Sequence, residues 1–219
     1  MNLLSEREQD VLELIVRDYI ASAAPVSSER VREISDRNIS SATFRSIMGD
    51  LEEAGYLVQP HTSAGRIPTQ KGYRFFVDTC ISYPSSVERN QQSYDDPQDL
   101  IHYIVSQTRL LGVYVHPEQN IYAQFGMGEA LRAPEFGDTE RVQAFGDFVD
   151  AVQDVSNLYH AMLVKEKRSY AIFIERENLV PEGRSLGVVV SQDNDKGTVF
   201  VIGPSRMDYE RVLRALHFL

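Results

Sequence analysis

The sequence is short of cysteine and of long apolar runs, and each shortage removes a class of protein. Cys80 is the single cysteine in 219 residues, so neither an internal disulfide nor a cysteine metal cluster can form. No window approaches the roughly 18 consecutive apolar residues that a membrane-spanning helix needs. The N-terminus, "MNLLSEREQDVLELIV", lacks a basic leader segment and a small-residue cleavage site, so no secretion signal is expected. The five histidines, at positions 61, 102, 116, 160 and 217, are too dispersed for metal-ligand spacing. No metal, no cofactor and no membrane association are therefore expected, and the lone cysteine fits a reducing, cytoplasmic setting. Positive charge is scarce as well: 22 Lys+Arg against 32 Asp+Glu leave a net charge of −10. Nucleic-acid binding by bulk charge is thereby disfavoured, and any DNA contact has to be local and geometric.

What remains is ordinary soluble globular material, 42% hydrophobic and 25% charged, long enough for one large domain or two small ones. Ser5 and Glu8 have capping-box spacing, and Val11, Leu12, Ile15, Tyr19 and Ile20 follow at helical intervals. "ASAAPVSSERV" breaks that helix at Pro25 and restarts a short second one capped by Ser27 or Ser28. "ISSATFRSIMGDLEEAGYL" predicts a third helix, capped by Ser40 or Ser41, with Phe44, Met48 and Leu51 inward and Gly55 ending it. A short apolar run, a glycine-bent basic loop and a fourth helix (Tyr73, Phe76, Val77, Cys80) come next.

Residues 82–97 are polar, aperiodic and carry two prolines, which reads as a linker. Beyond it, Leu100, Ile101, Ile104, Leu110 and Leu111 predict another helix, and Asp138 caps one with Val142, Phe145, Val149 and Val152 on one face. "YAIFI", "SLGVVVS" and "GTVFVIG" predict strands, with "QDNDKG" as a hairpin connection. "GPSRMDYERV" reads as a turn at Gly203 and Pro204 into a helix capped by Ser205, with Asp208 at the third helical position. "FGMGEA" has no third glycine and no phosphate-loop context, so a turn is expected. "KEKRS" reads as a solvated edge. No nucleophile and base stand at a recognisable spacing, and an enzyme is not expected.

Three short helices followed by a strand, a basic loop and an extended return describe a winged helix-turn-helix, whose third helix fits a major groove about 12 Å wide. With Phe44, Met48 and Leu51 inward, Ala42, Thr43, Arg45, Ser46 and Gly49 face outward. Arg45 can fork onto guanine or phosphate, and the small neighbours let the backbone come close. In "HTSAGRIPTQKGYR", which holds three cations and no acid, Thr62 and Ser63 begin a bend that Gly65 allows, placing Arg66 at the tip. The candidate DNA-contacting residues are Ser40, Ser41, Thr43, Arg45, Ser46, His61, Thr62, Ser63, Gly65 and Arg66. The same pattern also suits a winged helix that binds protein instead of DNA. Residues 1–79 hold nine Lys+Arg against twelve Asp+Glu, so charge does not decide between them.

"SSATFRSIMGDLEEAGYLVQPHTSAGRIPTQKGYRFFVD" closely resembles the heat-inducible transcription repressors of the HrcA family. "DYI", "PVSS", "PEF" with its following aspartate, and the C-terminal "GPSRMDYERV" match in order. The resemblance implies an α+β protein: a winged helix-turn-helix at 1–81, a linker at 82–97, and a truncated GAF-like α/β domain at 98–219. It implies a homodimer that represses chaperone operons at the CIRCE inverted repeat, with a GroEL-type chaperonin as modulating partner. Two features depart from the family. Phe44, Ser46 and Ile47 stand where members commonly have isoleucine, asparagine and glutamate, which alters a side chain facing DNA. The chain also lacks much of the first half of the GAF-like domain and the dimerising insert within it. A dimer is still expected, because a palindrome has two half-sites, with the helix after the linker and the shortened domain as candidate interfaces. The other reading the resemblance leaves open is a GAF-like ligand sensor.

Overall fold

The computed structural model describes residues 4–37, 39–60, 65–81, 94, 96–193 and 197–216. The chain divides into two compact units, Met1–Ser82 and Tyr83–Leu219. Both mix helix with sheet, and the second is the sheet-rich one.

In the first unit, α1 (Glu6–Ser22) starts at the Ser5–Glu8 capping box, and α2 (Ser28–Ile34) starts at Ser27, whose hydroxyl accepts from the Arg30 amide at 3.1 Å. Helix α3 (Ser41–Glu53) is capped by Ser40, which accepts from the Thr43 amide at 3.2 Å. Gly55, at φ 78°, takes the left-handed conformation that ends it. Strands β1 (Leu57–Val58) and β2 (Ile67–Pro68) pair antiparallel, Leu57 opposite Pro68. Residues 61–64 of the connection lie outside the described residues, and with them His61, Thr62 and Ser63. Helix α4 (Gln70–Thr79) returns across the unit; Cys80 is its C-cap, one position past its end. Val11, Leu12, Ile15, Phe44, Leu51, Phe76 and Val77 are buried to 2% exposure or less and form the core that α1, α3 and α4 share.

The second unit is built on one antiparallel five-stranded sheet, ordered β4-β3-β7-β6-β5. Helix α5 (Pro97–Thr108) precedes β3 (Leu111–His116) and β4 (Ile121–Phe125). A short α6 (Met127–Ala130) and the long α7 (Thr139–Glu166) lead to β5 (Tyr170–Ile174), β6 (Leu186–Gln192), β7 (Thr198–Pro204) and α8 (Tyr209–Leu216). Alternation divides the strands between two cores. Val113, Val188, Val190, Phe200 and Ile202 meet Phe145, Phe148, Val152 and Tyr159 of α7 on one face. On the other, α5 packs against α8 and against β3 and β4, with Ile101 and Val105 closing on Gly112. Helices on both faces explain why β3 and β7 read as continuous apolar runs although the sheet is antiparallel.

Three sequence expectations are corrected here. Leu110 and Leu111 do not extend α5: Arg109 turns left-handed at φ 60°, and Leu111 begins β3. Gly203 and Pro204 do not form the turn before α8. They end β7 in register with Gly187 and Leu186, because pairing with β6 carries the strand on past local turn signals. Asp208 then caps α8 itself, accepting from the Arg211 amide at 3.0 Å, while the Ser205 carbonyl accepts from the Tyr209 hydroxyl. Two segments far apart in sequence meet at this point. Arg206 binds Glu135 through Nε at 2.5 Å, both side chains 14% exposed, which joins "GPSRMDY" to "PEF".

Candidate nucleic-acid interface

The outward side of α3 presents the polar residues that the sequence placed there. Phe44, Ile47, Met48 and Leu51 are buried on its inner side, which turns Ala42, Arg45 and Ser46 out to solvent. At the start of the helix the hydroxyls bond one another: Ser40 to Thr43 at 2.9 Å, and Ser41 to Ser28 of α2 at 3.2 Å. The second contact ties α2 to the start of α3.

Beside Arg45 lies a cleft of about 350 Å³, walled by Ser27, Ser28 and Glu29 of α2, Met48 of α3, and Gln59 and Arg66 of the ribbon. It is an open hollow, more apolar than polar in its lining, with Arg45 and Arg66 in its wall. Arg32 and the Ser41 hydroxyl both bond the Glu29 carboxylate and hold it below the usual glutamate range. Glu29 is thereby kept ionised and engaged with Arg32.

Arg66 sits differently from the sequence expectation. Arg66 is at the base of the ribbon, not the tip. Its backbone exchanges two hydrogen bonds with Val26, at 2.8 and 2.9 Å, which adds the segment before α2 to the ribbon's edge. Its Nε donates to Glu52 at 2.7 Å, with the Arg66 side chain only 17% exposed. Gly65 lies in a bend, without a positive φ, and serves close approach as well: a Cβ there would lie 2.6 Å from the Pro25 carbonyl carbon. The structure therefore brings Ser40, Ser41, Thr43, Arg45 and Ser46 together on one helix, with Gly65 and Arg66 at its flank. Sequence reading missed Glu52, Gln59 and Ser28. Glu52 was within reach, since it follows Arg45 by two helical turns on the same side, and its other oxygen accepts from the Gln59 amide at 3.2 Å.

Elsewhere the polar groups serve the fold. Cys80 is half-buried, and burial raises its thiol pKa, the reverse of a reactive cysteine. Asn178 donates to the carbonyls of Glu175, Gly183 and Leu186 and accepts from the Tyr159 hydroxyl. Among the described residues no group of three or more His, Cys, Asp or Glu is placed to hold a metal, and no helix is long and apolar enough to cross a membrane.

Similarity to known proteins bears on the same regions. The heat-inducible transcription repressor HrcA of Syntrophobacter fumaroxidans is 49% identical over 92 residues, 42% of this chain and 26% of that protein. That of Brevibacillus brevis is 57% identical over 79 residues, 36% of this chain and 23% of that protein. That of Lachnoclostridium phytofermentans is 43% identical over 112 residues, 50% of this chain and 32% of that protein. The matched stretches thus span between 23% and 32% of these relatives' lengths. A crystal structure described as a hypothetical protein at 2.2 Å resolution superposes with a TM-score of 0.79 at 21% identity, covering 99% of this chain and 96% of that one, so the fold is shared. The sequence profile of the "HrcA protein C terminal domain" matches residues 81–213, well over half of the chain, and the chain belongs to the HrcA family.

Proposed function

We propose that this protein is a transcriptional repressor whose N-terminal unit, residues 1–81, is a winged helix-turn-helix that docks α3 into the major groove of operator DNA. The observation that carries this reading is the exposed Arg45 and Ser46 on a helix fixed from behind by Phe44, Met48 and Leu51. In the docked complex Arg45 reads a base edge or clamps a phosphate, and Ser40, Ser41, Thr43 and Ser46 supply hydroxyls to the backbone. His61, Thr62 and Ser63 are further candidate contacts to the DNA. Arg66 supports the ribbon from its base.

The curated relatives carry the name heat-inducible transcription repressor, which favours heat-shock chaperone operons as the target and a CIRCE-type inverted repeat as the operator. An inverted repeat calls for a homodimer, one protomer per half-site. The linker expected at 82–97 ends at Asp96, the cap of α5, and the rest of the chain serves as a shortened GAF-like regulatory and dimerising domain. A GroEL-type chaperonin is the modulating partner in this scheme; adding it to heat-treated protein should raise the fraction active on DNA. The test of the reading is fluorescence anisotropy on a CIRCE-type duplex and on a scrambled one, at two salt concentrations. Tight, salt-sensitive binding to the repeat alone supports it. Equal weak binding to both duplexes sinks the sequence-specific role.

A further inference from the structure

Helix α7 is 28 residues long, and its solvent side carries an ordered run of charge. Inward, Phe145, Phe148, Val152, Tyr159 and Leu163 are buried against the sheet. Outward, at spacings of three and four residues, the acids come first: Asp147, Asp150 and Asp154, all exposed. Leu158 and Ala161 follow, Leu158 being 50% exposed and Val164 beside them 56%. The run ends with exposed Lys165 and, just past the C-cap, Arg168.

Helix electrostatics do not account for this order. The macrodipole favours acids within the first turn, and these three lie two to four turns farther in. Asp150 and Asp154 are an i,i+4 pair of like charge, which weakens the helix that carries it. Among the described residues neither the three aspartates nor Lys165 forms an ion pair, and Arg168 meets only its neighbour Glu166, at 3.2 Å. Acidic, apolar, basic is an order that complements its own reverse.

We propose that this face binds a second copy of the chain, two α7 helices crossing antiparallel about a twofold axis between Leu158 and Ala161. The axis sets Leu158 against the partner's Ala161 and Asp154 against the partner's Lys165, each contact occurring twice. Asp150 then lies within a turn of the partner's Arg168. A parallel crossing would oppose acid to acid. The alternating spacing is that of an antiparallel helix seam, and Asp147 to Lys165 spans about 27 Å by the helical rise. This deepens the dimer of the proposed function and rests on that reading only for the need of two half-sites.

Sedimentation velocity on the full chain tests it. Wild type should dimerise, more weakly as salt rises. Asp154→Lys and Lys165→Asp should each raise the dimer dissociation constant about ten- to thirtyfold, because one change makes two repulsive contacts. The double variant should recover the wild-type constant, which a merely structural role of either residue would not produce. Leu158→Glu should leave monomer with unchanged far-UV dichroism. A monomeric wild type, single reversals without effect, or a double variant that does not recover would each overturn the proposal. Operator binding is read separately by anisotropy: a charge-responsive dimer that ignores the inverted repeat would sink the repressor reading and leave this interface standing.

Discussion

Arg66→Ala separates two roles that one arginine near DNA can play. If Arg66 were a phosphate ligand, its loss would flatten the salt dependence of operator binding by about 0.9 in log–log slope and leave folding alone. The structure commits it to Glu52 instead, at 2.7 Å, with the two side chains 17% and 34% exposed. A charge-assisted hydrogen bond contributes about 1.5–3 kcal/mol when sheltered, and the partial exposure of Glu52 lowers that to about 1–2 kcal/mol. For a unit of this size that is a fall in Tm of roughly 5–10 °C. The expected result is therefore a less stable protein with an unchanged salt slope, measured by dichroism melts and by anisotropy at four salt concentrations. The chain has no tryptophan, so dichroism is the practical probe. Glu52→Gln should cost a similar amount, and the double variant much less than the sum of the singles. A slope reduced by about 0.9 with an unchanged melt would refute the anchoring role and return Arg66 to the phosphates.

Other outcomes follow from the same geometry. Arg45→Ala should reduce discrimination between operator and scrambled duplex by about 1–3 kcal/mol with an unchanged melt, since its side chain is exposed. Gly65→Ala should destabilise by about 1–3 kcal/mol in urea titrations, because the new methyl meets the Pro25 backbone at 2.6 Å. Burial pushes the Tyr159 phenol up to about 12, so the folded state holds its proton where the unfolded chain, with an ordinary pKa near 10, has lost it. That contribution is present below pH 10 and is lost as pH rises from about 10 to 12, at up to about 1.4 kcal/mol per pH unit. Urea titrations at pH 9 and 11 should show this alkaline loss reduced in Tyr159→Phe.

Local physics was legible in the sequence wherever one element carried its own signal. The caps at Ser5, Ser27, Ser40 and Asp138, the left-handed stop at Gly55 and the inner stripe of α3 all follow from short-range rules. The outward placement of Arg45 and Ser46 follows from that stripe. What could not be read were facts created by distant chain. Arg66 resembles a tip residue until Val26 bonds its backbone, and Pro25 adds a close contact at the Gly65 bend. Gly203 and Pro204 signal a turn, but pairing with β6 holds them extended. The solvent side of α7 offered no core pattern to read, and its charge order stands out only once the helix is seen to run unbroken from Thr139 to Glu166.

The sheet order also dictates a schedule for synthesis. Strand β3 pairs with β7, the last strand, so the centre of the sheet cannot close until Thr198–Pro204 has left the ribosome. The N-terminal unit is compact in itself and can fold first. At about 5–20 residues per second, α5, α7 and β3 then wait several seconds or more with Ile101, Phe145, Phe148 and Val113 unburied. Each newly made molecule thus passes through an interval in which its first unit is complete and its second is bare apolar surface, the form most easily captured by any protein that binds unfolded chains.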